Sequence, residues 1–226
     1  MPEIPKPPYV YEADHAYSVH IVRTSEIRKH LNPGFNIVGF FGWTLLIVAM
    51  IKYEKAASAN SQHADFAYDE LMFICPVRHR LKLGLTAFRL FLNNNTGILT
   101  GKVFYGFPKS YAALKISSGK NRFSMTYGNR VLSSVRILNR CDFLPRILMR
   151  MCARMFLRKF SILLIKDGNL VLANFEMSNF SLRIGSRQKA DFRPLTEIGK
   201  ASKPIFTVLL LGSKFKLKRP QTVSKV

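Results

Sequence analysis

Short apolar runs bounded by turn-forming residues recur along most of the chain, and this pattern is typical of β-strands. The turns between them include N-N-N-T-G at 93–97, S-G-K-N at 118–121 and K-D-G-N at 166–169. Many strands joined by short turns favour an antiparallel sheet system or barrel with few helices. Residues 1–20 add a Pro-rich extended arm and a short strand. The other predicted strands cover residues 43–53, 68–75, 80–92, 98–105, 112–117, 122–127, 131–137, 160–165, 169–175, 179–184 and 205–211.

Two segments have the spacing of a helix. Residues 24–31 begin with capping residue types and are followed by Asn32-Pro33-Gly34, a sequence that ends helices. Leu144 to Phe156 places apolar side chains three and four residues apart on one face. A cationic stripe on this second helix consists of Arg146, Arg150, Arg154 and Arg158. The helix either packs on the sheet with its arginines in water, or binds anionic lipid or an acidic partner.

An uncharged stretch of 19 residues, 33–51, is about long enough to cross a bilayer. Its first half is interrupted by a proline, several glycines and an asparagine, and only residues 43–51 are densely apolar. Nine apolar residues suit one buried strand. We therefore predict a strand that continues into Tyr53, and no membrane span.

Composition and charge indicate a folded protein with a basic surface. Hydrophobic residues make up 48% of the 226 positions, which excludes intrinsic disorder, and the length predicts a single domain over 1–226. Residues 1–75 carry 6 basic and 8 acidic side chains, whereas residues 76–226 carry 29 and 5. Such a surface fits nucleic acid, an anionic membrane or plain solvent. Nucleic acid is the least favoured partner, because no RGG tract or RNA-binding aromatic pattern accompanies the charge.

The sequence offers no conventional metal or nucleotide site. Cys75, Cys141 and Cys152 are widely spaced and form no C-x-x-C pair, and the five histidines are dispersed. No P-loop, G-x-G-x-x-G, G-x-S-x-G or H-E-x-x-H sequence is present, so we expect no cofactor and no metal. The N-terminus lacks the basic start and apolar run of a signal peptide, which predicts a reducing, cytoplasmic location.

Two segments combine residue types that can carry chemistry. Y-D-E-L at 68–71 places an acidic pair at the start of an apolar strand, and G-K-V-F-Y-G-F-P-K at 101–109 places Lys109 after a Gly-aromatic-Pro turn. A lysine held among the aromatic residues of this segment would lose water, which disfavours its charged form. An uncharged amine can attack a ketone and form a Schiff base. The other interpretation is a lysine that is simply exposed after the turn.

Together these two segments resemble the acetoacetate decarboxylase superfamily. In that family a Y-x-E-L-like strand precedes a G-(R/K)-x-x-x-G-(I/Y/F)-P-K segment that bears the Schiff-base lysine. The entry Pro7-Pro8-Tyr9, the strand 42–46 running into Tyr53 and the terminal segment 215–220 are similar to the family's start, middle and end. The chain looks more like the divergent eukaryotic-type members than like the bacterial decarboxylases.

The resemblance implies a mainly β (α+β) fold, a cone-shaped antiparallel β-barrel closed around an apolar pocket, with a few peripheral helices. It implies that Lys109 is the nucleophile and that Glu70 is a proton shuttle, with Tyr68 as an orienting hydroxyl. Glu54 is the candidate for a second carboxylate. The implied substrate is a β-keto acid or a related carbonyl compound, which forms an imine with the lysine before carbon dioxide leaves.

Two positions depart from the bacterial decarboxylases. Those enzymes have a second lysine directly after the Schiff-base lysine, where this chain has Ser110. Their N-terminal arm has an arginine that receives the substrate carboxylate, whereas residues 11–15 (Y-E-A-D-H) contain none. The alternative function is therefore a non-catalytic barrel that binds an apolar ligand, at an anionic membrane surface. A homo-oligomer is expected in both cases.

Overall fold

Strands dominate the computed structural model, which describes residues 4–59, 66–136, 159–184, 187–192, 195 and 204–225. The prediction of a mainly β fold with few helices is confirmed. Within these ranges the helices are α1 (Thr24–Arg28) and α2 (Asn95–Thr100), and a π-helical turn (Gly101–Tyr105) continues α2. The strands are β1 (Tyr9–Arg23), β2 (Asn36–Ile37), β3 (Trp43–Ser58), β4 (Phe66–His79), β5 (Lys82–Leu92), β6 (Lys109–Tyr111), β7 (Leu114–Gly119), β8 (Arg122–Tyr127), β9 (Arg130–Arg136), β10 (Lys159–Lys166), β11 (Asn169–Ser178), β12 (Ser181–Ile184), β13 (Arg187–Ala190), β14 (Phe206–Leu217) and β15 (Gln221–Lys225).

The large sheet has 11 strands, nine of them in the order β12-β14-β1-β3-β4-β5-β10-β11-β15. β2 lies beside β4 and β6 beside β5, and β11 also pairs with β14, the second strand of this order. In the described part of the chain, the backbone pairing of β5 with β10 is limited to Leu85–Ile162, and the Thr86 hydroxyl also donates to the Leu163 carbonyl at 2.7 Å. The cone-shaped barrel therefore stays a prediction.

Two apolar cores lie on opposite faces of the large sheet, because alternate residues of a strand point to opposite sides. The first core fills the space between this sheet and a small sheet of order β13-β9-β8-β7, and includes Phe73 and Phe123. The second core collects side chains of β1, β3, β4, β5, β10, β11 and β14, and includes Tyr53, Tyr68 and Phe107. The candidate catalytic residues lie on the side of the second core.

The uncharged stretch forms a loop followed by a strand, as predicted. β3 begins at Trp43 and pairs with β1 on one side and β4 on the other, so most of its apolar side chains are buried. Among the described residues, no helix combines the length and the hydropathy needed to cross a membrane. The candidate helix 144–156 and the cationic stripe that extends from it to Arg158 lie outside the described residues.

The N-terminal predictions need correction in extent. β1 is not short but runs for 15 residues, because β14 and β3 pair with it along most of its length. α1 begins at Thr24 as predicted but ends at Arg28. The Thr24 hydroxyl does not cap this helix; it donates to the Gly42 carbonyl at 3.2 Å.

The prediction of a strand at 98–105 is wrong, because this segment is helical. The Asn94 side chain accepts a hydrogen bond from the Gly97 amide at 2.9 Å and caps α2. The Thr100 hydroxyl then donates to the Thr96 carbonyl at 2.9 Å, one turn back. A short apolar run fits a helix or a strand equally well, and here the asparagine cap decides in favour of the helix.

Candidate active site

The short strand β6 holds Lys109 against the second core. Lys109 pairs in parallel with Leu90 of β5, and the Leu90 amide donates to the Pro108 carbonyl at 3.2 Å. The Lys109 amide donates to the Phe107 carbonyl at 2.8 Å, which makes a tight turn before the strand. This backbone orients the side chain inward, and Lys109 is only 8% exposed.

Two glycines of the 101–109 segment are required by its geometry. Gly101 lies beneath the lysine, where a Cβ atom would come within 2.6 Å of Lys109 Cδ and Cε. Gly106 ends the π-helical turn with φ of +76°, a left-handed conformation that favours glycine. The spacing of the segment thus allows the lysine side chain to pass over the helix into the core.

Glu70 of β4 is the ionic partner of Lys109. It is 1% exposed, and its Oε1 lies 3.1 Å from Lys109 Nζ. The Tyr53 hydroxyl donates to the other oxygen, Oε2, at 2.8 Å. Oε1 makes no hydrogen bond among the described residues, so its contact with Nζ is an ion pair without hydrogen-bond geometry. A buried pair of this kind carries a large desolvation penalty, which is typical of functional sites.

Three tyrosines surround the ion pair. The rings of Tyr53 and Tyr68 stack with centroids 4.1 Å apart, and Tyr11 lies 5.2 Å from Tyr53. Burial raises the pKa of all three phenols well above the ordinary value, so their hydroxyls remain hydrogen-bond donors at neutral pH. Lys109 Nζ lies 5.9 Å from the Tyr68 ring and 5.7 Å from the Phe107 ring, within cation–π range.

The Y-D-E-L sequence faces both cores. Tyr68 and Glu70 point to the second core, whereas the intervening Asp69 points to the first. There the Asp69 carboxylate accepts a hydrogen bond from the Ile116 amide of β7 at 2.9 Å. Burial raises the pKa of Asp69 despite this bond. The two neighbouring carboxylates therefore have different roles: Glu70 contacts Lys109, and Asp69 connects the large sheet to the small sheet.

The structure brings Lys109, Glu70 and Tyr68 together and places Glu54 elsewhere. Tyr68 is a wall beside the amine, and the hydroxyl on Glu70 belongs to Tyr53, to which sequence reasoning assigned no role. The Tyr53–Tyr68 pairing of β3 with β4 would have identified Tyr53, but register is not readable from one sequence. Glu54 is away from the site, with a side chain 56% exposed and paired with Lys52. Ser110 is exposed on the side of β6 opposite Lys109.

A small apolar pocket of about 30 Å³ lies in the second core. Its lining includes His15 and Tyr53, whose hydroxyl binds Glu70, but neither Glu70 nor Lys109 itself. The full lining consists of His15, Tyr17, Ala49, Ile51, Tyr53, Met72, Ile74, Phe160, Ile162, Phe175, Met177 and Phe215. In the part of the chain that the structure describes, no group of three or more His, Cys, Asp or Glu residues is arranged to hold a metal ion.

Comparison with known proteins identifies the fold. No protein-family model matches the chain, and no curated protein matches it by sequence. A solved acetoacetate decarboxylase is similar with a TM-score of 0.69, covering 98% of this chain and 91% of its own, at 14% identity. The acetoacetate decarboxylase of Legionella pneumophila gives a TM-score of 0.65 over 100% and 93%, also at 14% identity. The enduracididine biosynthesis enzyme MppR, solved with pyruvate, gives 0.64 over 97% and 91% at 14% identity.

The chain therefore has an acetoacetate decarboxylase-like fold. This result confirms, at the level of the fold, the resemblance seen in the Y-D-E-L and G-K-V-F-Y-G-F-P-K segments. At 14% identity the likeness establishes the fold alone, so the chemistry has to be argued from the residues of this chain.

Proposed function

We propose that this protein is an acetoacetate decarboxylase-like lyase in which Lys109 forms a Schiff base with a β-keto acid or related carbonyl substrate. The observation that carries the proposal is the buried contact of 3.1 Å between Lys109 Nζ and Glu70 Oε1. An amine among aromatic rings, with a carboxylate in reach to accept its proton, has the parts that imine formation needs. The proposal includes closure of the large sheet as a cone-shaped barrel around the second core.

The proposed reaction uses each of these groups in turn. Lys109 passes a proton to Glu70, and its lone pair attacks the carbonyl carbon. Return of protons expels water from the adduct and leaves a protonated imine. The electrons of the bond to the carboxylate then move into the imine, carbon dioxide leaves, and an enamine remains. Glu70, which is ionised again once water has left, takes up a proton from solvent water and delivers it to the enamine carbon. Water then hydrolyses the imine to release the ketone and the free lysine.

Tyr53 has a positioning role in this scheme. Its hydroxyl holds Glu70 Oε2, which leaves Oε1 directed at the amine. Neighbours of the same fold support the substrate class, since two are acetoacetate decarboxylases and MppR was solved with the keto acid pyruvate. The absence of an arginine at 11–15 leaves the receptor for a substrate carboxylate unassigned.

Borohydride trapping tests the proposal. The intact protein is incubated with a panel of keto acids and methyl ketones, reduced with sodium borohydride, and digested for mass spectrometry. We expect a carbonyl-dependent alkyl adduct on the peptide that contains Lys109, absent when borohydride or carbonyl is omitted. An adduct distributed over exposed lysines, or none with any carbonyl of the panel, would refute the Schiff-base function.

Gly101→Ala should weaken this trapping strongly. The new Cβ would displace the Lys109 side chain, and a misplacement of about 1 Å costs roughly 100-fold in rate. The matched control is Gly119→Ala, where the nearest atom to a new Cβ is the Arg122 carbonyl oxygen at 3.7 Å, an ordinary contact. Trapping rates are compared in the two folded variants. Equal rates would show that the position of Lys109 does not matter to the reaction.

We further propose that one end of the large sheet rests on an anionic membrane. β3 and β4 are antiparallel, so the start of β3 and the turn after β4 lie at the same end of the sheet, and exposed apolar side chains cluster there. Phe41 is 86% exposed and Leu81 is 97% exposed; the set Phe40, Phe41, Trp43, Leu81 and Leu83 is called the apolar rim below. The exposed cations beside the rim are Arg23, Arg78, Arg80 and Lys82. Aromatic and aliphatic side chains flanked by cations are the chemistry of a membrane-surface contact.

Vesicle flotation tests this contact. Binding is expected with phosphatidylserine-containing vesicles at low salt, and it should fade with added salt because the charges are exposed. Phe41→Ser combined with Leu81→Ser should abolish it, whereas Val131→Ser, at an exposed position of the small sheet, should not. Equal binding to neutral vesicles, no binding at all, or a dimer that the rim variant dissolves would overturn the proposal. Cytoplasmic location and homo-oligomerisation stay predictions.

A further inference from the structure

A row of paired residues connects the candidate nucleophile with a buried histidine. His15 of β1 pairs with Ile51 of β3, and Ile51 pairs with Glu70 of β4. Directly paired residues share a face and adjacent strands lie about 4.8 Å apart, so His15 and Glu70 stand roughly 10 Å apart on one face. The apolar pocket lies along this row, with His15 and Ile51 in its lining.

The His15 imidazole has one ring nitrogen that is left for a ligand. His15 is buried, its Nδ1 is hydrogen-bonded with the Tyr17 hydroxyl at 2.9 Å, and its ring lies nearly parallel to that of Tyr17. On another side the ring of Phe215 is 5.3 Å away. Nε2 is buried and makes no hydrogen bond with any described residue. A buried polar nitrogen of this kind is unfavourable unless a ligand group meets it.

The surroundings of His15 disfavour a charged ligand group. No Asp, Glu, Lys or Arg is among the residues that line the pocket in the described part of the chain. Burial lowers the pKa of His15 to about 3, so the imidazole is neutral at physiological pH. A carboxylate or ammonium group placed here would lose its water and gain no counter-ion. A hydroxyl group suits the site, because it can donate to or accept from Nε2 in either tautomer.

We infer that this pocket is a specificity subsite for the hydroxyl-bearing end of an apolar substrate tail, recognised by His15 Nε2. This inference rests on the proposed function, since it assumes that the carbonyl carbon lies at Lys109. The tail runs from there along the row to His15. Four or five methylene-length steps, together with the imine bond and one hydrogen bond, reach roughly 10 Å, the same order as the spacing between the Glu70 and His15 positions of the row.

Three methyl ketones with the same number of carbon atoms show how the end group of the tail affects the rate of trapping. They are 2-hexanone, 6-hydroxy-2-hexanone and 5-oxohexanoate, which end in a methyl, a hydroxyl and a carboxylate group. With the intact protein we expect borohydride trapping to be fastest for the hydroxy ketone, slower by roughly fivefold for 2-hexanone, and slowest for the anion. Fastest trapping of 5-oxohexanoate, or equal rates for all three, would overturn the inference.

Replacement of the histidine isolates its role. His15→Leu should remove the advantage of the hydroxy ketone, so that the ratio of its trapping rate to that of 2-hexanone falls from roughly five to about one. The matched control is His79→Leu, the same change at another buried histidine that does not line the pocket. If His15→Leu kept the preference for the hydroxyl, or if the His79 variant lost it equally, His15 would not be the recognising group.

Binding to Lys109→Met separates failure of the subsite from failure of the Schiff base. This variant cannot form an imine, and calorimetry then measures the pocket alone. The same order of affinities without any trapping in the parent protein would refute the proposed lyase function and leave the subsite intact. Trapping at Lys109 of the parent protein, combined with equal affinities of Lys109→Met for the three ketones, would support the lyase function and refute the subsite. If the His15 variant fails to fold, the subsite is still tested by the order of the three ketones in trapping rate with the parent protein and in affinity with Lys109→Met.

Discussion

A protein carrying Lys109→Arg is expected to give no borohydride-trapped adduct at position 109, while it keeps its fold and a cation beside Glu70. The guanidinium group remains charged in proteins and offers no free amine, so it cannot attack a carbonyl carbon. Since the positive charge is retained, Glu70 is not left alone in the second core. The measurement is peptide mass spectrometry after trapping, with circular dichroism as the check on folding.

The matched control for this change is Lys102→Arg. Lys102 is exposed and belongs to the same segment, on the π-helical turn beneath the site. The Lys102→Arg protein should form the borohydride-trapped adduct at Lys109 at the same rate as the parent protein. An undiminished adduct in the Lys109→Arg protein would mean that another amine carries out the chemistry.

Glu70→Ala is expected to destabilise the protein by about 3–5 kcal/mol, because it leaves the Lys109 ammonium buried without its counter-charge. The change also removes the acceptor of the Tyr53 hydroxyl, which is itself buried. The measurement is the free energy of unfolding from urea titration at pH 7. A loss below about 1 kcal/mol would show that the pair is hydrated in solution.

Two comparisons make this result specific to burial. Glu176→Ala removes two ion pairs, one with Lys218 at 2.7 Å and one with Lys159 at 3.5 Å. Because all three side chains are partly or largely open to water, the loss of stability should be far smaller. The double variant Glu70→Leu with Lys109→Met should recover most of the stability lost by Glu70→Ala, because both charges are removed together. A double variant as unstable as Glu70→Ala would assign the loss to packing.

The sequence predicts the fold class because alternation and turn chemistry are local properties. β3 and the turn at 166–169 could be read directly, since each depends on residues within a few positions. The prediction of a strand at 98–105 fails, because the apolar residues of this segment fit a strand and a helix alike and the decision rests on the Asn94 cap. The extent of β1 depends on pairing with β14, which is almost 200 residues away along the chain.

In the candidate site, too, the residues that could be predicted lie in contiguous sequence patterns, and those that could not depend on strand pairing. Lys109 and Glu70 were identified from contiguous residue patterns that resemble a known family, and the structure places them in contact. Tyr53 and His15 could not be identified, since their positions depend on the register of β1, β3 and β4. The reason for Gly101 was equally hidden, because the atoms that it accommodates belong to a side chain on a different element.

The neighbouring carboxylates Asp69 and Glu70 give the small sheet a mechanical role. Asp69 binds the Ile116 amide of β7, and the next residue positions the reactive lysine. Consecutive residues share one stretch of backbone, so a force that displaces β7 is transmitted to Glu70 within a single residue. The small sheet therefore helps to hold Glu70 in line with Lys109. A minimised protein that kept only the large sheet would lose the Asp69 contact and, with it, the alignment of Glu70 and Lys109.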